Sequence, residues 1–145
     1  MNSTKAAFKA LREQVGMSQQ NLADEVDVVV RSVKRWESPA AEGYRAPEDA
    51  WRVLEEARAT QRRQVAYALE VVRKQAGELG QAPAAVALTY YRDQEQYDAC
   101  GRDRGPVGVA NANARAVVDA LEREGYSVEW HYPDEGAIKT PGSRY

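Results

Sequence analysis

From Pro47 to Ala76 the sequence contains no glycine and no proline other than Pro47 itself. Trp51, Leu54, Val65, Ala68, Leu69 and Val72 recur along it as an apolar stripe, interrupted by the polar stretch 58–64. Pro47 suits the first position of a helix, where its missing N–H is no loss. One helix over this stretch reaches roughly 45 Å at 1.5 Å per residue. That is longer than a small domain can cover by itself, so part of the stripe needs a second body or a second chain. A break within 58–64 fits the pattern equally well. Gly77, Gly80 and Pro83 end the pattern and mark a boundary.

Upstream lie three shorter periodic segments. Phe8, Leu11 and Val15 share one face of a helix over 4–15, with Ser3 or Thr4 as its cap, Gly16 as the C′ residue and Met17 as the apolar partner beyond it. Ser18 opens a second helix that buries Leu22, Ala23 and Val26. Asp27 falls at a turn, where aspartate tolerates a left-handed backbone. A third helix over 29–37 turns Val33 and Trp36 inward, and Pro39 and Gly43 mark the loop after it.

Downstream the pattern changes. Residues 86–91 mix β-branched and aromatic side chains and are expected to form a strand, followed by a short helix over 93–100 and a loop over 101–108. Asn111 or Asn113 is expected to cap a helix running to about Glu124, with Val117, Val118 and Leu121 on its apolar face and Gly125 as its C′ residue. Over 127–132, Val128, Trp130 and Tyr132 alternate with Glu129 and His131, the pattern of a half-buried strand. The tail beyond Pro133 is expected to be loose. So small a sheet leaves edges and a face uncovered. The aromatic residues from Tyr90 onward serve either a small α/β core or docking on the long helix or a second subunit.

Charge distribution says more than total charge. The chain of 145 residues carries a net charge of −2 with 43% hydrophobic and 29% charged residues, an ordinary balance for a folded protein. Residues 1–46 hold seven basic against six acidic side chains, 47–80 six of each, and 81–145 seven against ten. Three of the first seven are Arg31, Lys34 and Arg35, on the face of the third helix opposite Val33 and Trp36. Arg31 and Arg35 stand one turn apart and repel by a few tenths of a kcal/mol in isolation. Phosphates, or a bidentate contact to guanine, offset that cost. A solvated helix face is the plain alternative for such a cluster.

The pattern around these cations narrows the choice. Gly16, Ser18-Gln19, Leu22-Ala23, Val26-Asp27-Val28, Ser32-Val33 and Trp36-Glu37 stand in one register. Over about residues 4–56 the sequence resembles the Cro/C1-type (XRE) helix-turn-helix family. Two positions depart from that family: Asp27 replaces the usual turn glycine, and Val29 replaces the usual Ser or Thr cap of the third helix. The resemblance implies a mainly α protein, with a lambda-repressor-like helix-turn-helix domain over 1–46. Residues 47–80 then form a long helix, part of that domain and connector, and 81–145 a small C-terminal α/β segment. It further implies that helix 29–37 enters the major groove of double-stranded DNA. Arg31, Lys34 and Arg35 then face the DNA, and Val30 either meets a thymine methyl or covers the core. Gln19, at the first turn of the second helix, is expected at a phosphate. Arg45, with Tyr44, lies in the loop where relatives contact the backbone; a free solvated loop fits as well. The order of helix-turn-helix, long helix and the segment Ala87-Leu-Thr-Tyr-Tyr91 is also similar to phage-associated regulators, including anti-CRISPR-associated repressors. No target is carried over from that likeness.

Signals for catalysis are absent from the sequence. His131 is the only histidine and Cys100 the only cysteine, which excludes an intramolecular disulfide or a multi-cysteine zinc site. The turn Gly105-Pro-Val-Gly108 lacks the lysine and the spacing of a phosphate loop. No membrane span and no signal peptide is read in the chain. The expectation is a cytoplasmic, non-enzymatic, homodimeric transcriptional regulator without cofactor or metal, acting on an operator as a repressor. The rival expectation is an antitoxin-like interaction protein whose C-terminal segment binds a partner protein.

Overall fold

The computed structural model describes residues 3–135, and the loose tail expected after Pro133 lies mostly outside them. The described residues are mainly helical, with a small two-stranded sheet. The chain divides into two compact units, residues 1–61 and 62–145.

In the first unit, helix α1 (Lys5–Val15) begins at Thr4, whose hydroxyl accepts from the Ala7 N–H at 3.1 Å. Gly16 takes the left-handed conformation that ends it, φ 82°. The Gly16 N–H donates to the Glu13 carbonyl and the Met17 N–H to that of Arg12, the paired bonds of a Schellman motif. Helix α2 (Gln19–Glu25) opens with a reciprocal box: the Ser18 hydroxyl accepts from the Asn21 N–H, and the Asn21 side chain accepts from the Ser18 N–H. Asp27 adopts φ 56°, alone among described non-glycine residues in positive φ, as expected for the turn. Helix α3 (Val30–Glu37) starts after Val29, which offers no side-chain cap.

Apolar spacing then dictates the core. Phe8, Leu11, Val15, Leu22, Ala23, Val33, Trp36, Ala50 and Leu54 form one buried cluster. Phe8 is its centre, meeting Trp36 and Trp51 edge-to-face at 6.1 and 5.0 Å between centroids, an arrangement the ring quadrupoles favour.

Helix α4 (Glu48–Leu79) is a single helix of 32 residues. It does not break at 58–64. Gln61 is buried there and donates to the Gln14 carbonyl at 3.1 Å, so this polar side chain satisfies an orphan acceptor in the last turn of α1. Two boundaries differ from expectation. Pro47 precedes α4, its carbonyl accepting from Ala50 and Trp51. Gly77 lies inside the helix, which stops before Gly80 at φ 72°. The division between units consequently falls within α4 and not at 77–83.

The second unit takes Arg62 onward. Strand β1 (Val86–Thr89), helix α5 (Gln94–Cys100), helix α6 (Val107–Arg123) and strand β2 (Val128–His131) follow in order. The strands pair in parallel, Val86 opposite Val128 and Thr89 opposite His131, and the two helices make the crossover that parallel pairing requires. Val72, Val117 and Leu121 form the buried centre, with Val65, Ala68, Leu69, Val86, Leu88, Tyr126 and Val128 around it.

Three expectations for this unit are corrected. Asn111 and Asn113 do not cap α6; both are buried inside it, and the helix begins four residues before Asn111. Its N-terminus is served from α5: the Gln94 side-chain oxygen accepts from the Val107 N–H at 2.8 Å while its amide donates to the Gly105 carbonyl. Asn111 instead holds Tyr91, accepting from its N–H at 3.0 Å and donating to its carbonyl at 2.9 Å. Both strands are also shorter than expected, ending at Thr89 and His131. Trp130 is not core: it stays 40% exposed and packs edge-to-face on Tyr90. Among the described residues no helix is long and apolar enough to cross a membrane.

Candidate functional site

The cations singled out in the sequence converge on α3. Arg31 and Lys34 are exposed on it, while Val33 and Trp36 are buried beneath. A single helix thus has one face committed to the core and the other presenting positive charge. Arg35, half-buried, lies with its guanidinium 4.7 Å from the centroid of the exposed Tyr44 ring. That cation–π contact is worth roughly 0.5–1 kcal/mol at an exposed site, enough to bias one rotamer. Arg35 is therefore poised against the loop after α3, whereas Arg31 reaches freely into solvent.

Val30 is half-buried and packs against the core cluster, so the covering role left open for it is the one observed. The exposed apolar residue at the start of α3 is its neighbour Val29, 69% exposed. Arg45 is exposed in the loop and borders a shallow cleft of about 120 Å³ with Thr4, Lys5 and Trp51. Gln19 does sit at the first turn of α2, but its side-chain amide donates to Glu37 Oε1 at 3.1 Å. It bridges α2 to the end of α3.

The orientation of α3 rests on its last residue, Glu37, and on two cations of α1, Arg12 and Lys5, that the motif does not include. Glu37 accepts from Arg12 Nε and Nη2 at 2.5 and 2.9 Å, and Arg12 Nη1 donates to the Met17 carbonyl at 2.9 Å. The two side chains are 9% and 5% exposed. The hydrogen bond to Glu37 raises the Arg12 pKa above its ordinary value despite the opposing effect of burial. A buried guanidinium gripped by a carboxylate at two points leaves α1 and α3 little freedom to slide. Lys5 adds a second tie. Its ammonium donates to the carbonyls of Arg35 at 2.8 Å and Trp36 at 3.2 Å, and to that of Tyr44. A cation on the last carbonyls of a helix also complements its dipole. Arg12 had one sequence signal: it stands four residues after Phe8, on the apolar face of α1. Nothing in the sequence pointed to Lys5, whose three acceptors are all backbone atoms more than 29 residues away.

The second unit has a cleft of its own, bordered by Tyr90, Arg115, Trp130, His131, Tyr132 and Glu135. Among the described residues no group of three or more His, Cys, Asp or Glu side chains is placed to hold a metal ion. The His131 ring meets the Glu129 carboxylate at 3.3 Å across an exposed pair, and Cys100 is a half-buried free thiol. No protein-family model matches the sequence, and no curated protein matches it.

Proposed function

We propose that this protein is a sequence-specific regulator of transcription that binds double-stranded DNA through a lambda-repressor-like helix-turn-helix, α2 and α3. The observation that carries this reading is the division of α3: Arg31 and Lys34 exposed, Val33 and Trp36 buried, on a helix tied at its C-terminal end by Glu37 and Lys5. A groove reader needs both properties, because a bidentate contact to guanine O6 and N7 is made from a helix whose register on its own domain is held.

In the proposed complex the start of α3 lies in the major groove. Arg31 reads a base, Lys34 neutralises a phosphate, and Arg35 with Tyr44 and Arg45 follows the backbone at the edge of the site. Val29, exposed at the helix start, is the apolar group within reach of a thymine methyl. Gln19, tethered by Glu37, contributes position. The active form is a homodimer on a two-fold site, because one short helix discriminates too weakly against the non-specific sites of a genome. We assign it to the cytoplasm, as a repressor of its own or a neighbouring operon, with no enzymatic step.

The test is selection of bound duplexes from a random pool by the full chain. Enrichment of one motif, lost with Arg31→Ala, supports the reading. Recovery of unselected sequence by the parent chain refutes it.

A further inference from the structure

The cleft of the second unit has the composition of a ligand site. Its volume is about 440 Å³, within the roughly 300–1,000 Å³ common to small-molecule sites. Tyr90, Trp130 and Tyr132 give it aromatic walls, Arg115 gives it a cation, and His131 and Glu135 complete its rim, the Glu135 carboxylate accepting from the Tyr132 N–H at 3.3 Å. Arg115 Nη1 donates to the Tyr90 hydroxyl at 2.8 Å. No carboxylate among the described residues pairs with it: Asp119, one turn further along α6, is engaged by Arg123 at 3.0 Å.

These walls are held in place before any ligand arrives. The Tyr90 N–H donates to the His131 carbonyl at 2.9 Å, and the next residue, Tyr91, is gripped at both backbone groups by Asn111. Trp130 rests edge-on against Tyr90, 5.4 Å between centroids. On the other side the Arg92 guanidinium lies 5.2 Å from the Tyr132 centroid and is itself fixed by a two-point pair with Asp134 at 2.8 and 3.0 Å. A site whose walls are fixed loses little entropy on binding.

We infer that this cleft binds a small, flat organic anion: an aromatic body laid against the ring walls, with a carboxylate or similar group on Arg115. A guanidinium already oriented by the Tyr90 hydroxyl retains donors for a carboxylate. An uncharged aromatic ligand would leave that cation unmatched. The inference concerns the second unit alone and does not rest on the proposed DNA binding.

Indole-3-acetate and its uncharged analogue indole-3-acetamide separate these terms. The readout is the Trp130 indole N–H resonance of the full chain, with Trp36 and Trp51 as internal references. Indole-3-acetate is expected to shift Trp130 saturably while the other two stay still, and to bind at least tenfold more tightly than the acetamide. Arg115→Gln, a change at an exposed position, is expected to reduce the acid to the affinity of the amide. Equal binding of acid and amide, an unchanged preference in Arg115→Gln, or no shift at all overturns the inference. A Trp130 resonance that moves with protein concentration alone also overturns it, since a second copy then covers the cleft. Each outcome is read without DNA, so it stands apart from the outcome of the duplex selection.

Discussion

Glu37 engages three elements at once: α3, to which it belongs, α1 through Arg12, and α2 through Gln19. Removing one member of a buried charge pair leaves the other uncompensated, a loss of about 3–5 kcal/mol. Glu37→Gln is therefore expected to lower the urea midpoint of the first unit strongly, read by tryptophan fluorescence. The double replacement Arg12→Met with Glu37→Met is expected to recover most of that loss, because paired burial of charge contributes little net stability. If Glu37→Gln melts like the parent, the pair is not holding α3. Tyr44 carries a subtler role. Tyr44→Phe keeps a ring beneath Arg35 and is expected to leave DNA affinity unchanged, whereas Tyr44→Ala frees Arg35 and weakens binding several-fold in a titration. Equal affinity in both variants would remove Arg35 from the proposed interface.

At the scale of elements, the ends of helices differ in how well their backbone groups are served. α1 and α2 are capped by Thr4, Ser18 and Gly16, while α3 follows Val29 with no side-chain cap. Val29→Ser is expected to stabilise the first unit by about 1 kcal/mol, visible as a raised melting temperature; a lowered one would mean Val29 contributes packing despite its exposure. These caps were legible because they are local: a hydroxyl or a glycine acts within three residues, and α1 and α3 begin within one residue of expectation. The second unit was less legible because its polar groups act at a distance. Asn111 is of a residue type that caps helices, yet its partner is the backbone of Tyr91, 20 residues away. Gln94 serves the start of α6 from 13 residues away, so no cap residue is required beside Pro106. Asn111→Leu is expected to cost at least 2 kcal/mol, since two backbone groups lose their partner and each buried unsatisfied group costs about 1–3 kcal/mol. The cost should appear in the unfolding of the second unit, and an unchanged transition there would show that solvent serves Tyr91 instead. In the candidate site, the charged face of α3 was readable from spacing, but its fixing by Lys5 through carbonyls was not. Main-chain acceptors have no sequence signature.

For the whole molecule, three of the seven basic residues of 1–46 lie on α3, while residues 81–145 carry an excess of acid. The proposed division of labour follows: the first unit meets DNA and the second pairs copies and holds a ligand. On α4, Tyr67 and Val71 stand one turn apart and are 69% and 36% exposed, an apolar face suited to a second copy. Light scattering at micromolar concentration is expected to give a dimer mass, and Tyr67→Glu with Val71→Glu a monomer that binds the selected duplex more weakly. A monomeric parent would remove the two-fold site from the account. The most direct test of the central claim is titration of the parent and Arg31→Ala against the selected duplex and its single-base variants. The account predicts a loss of about 1–3 kcal/mol on the preferred duplex and a relaxed preference at one base pair. If Arg31→Ala keeps the parent's full base preference, α3 is not the reader and the central claim is contradicted.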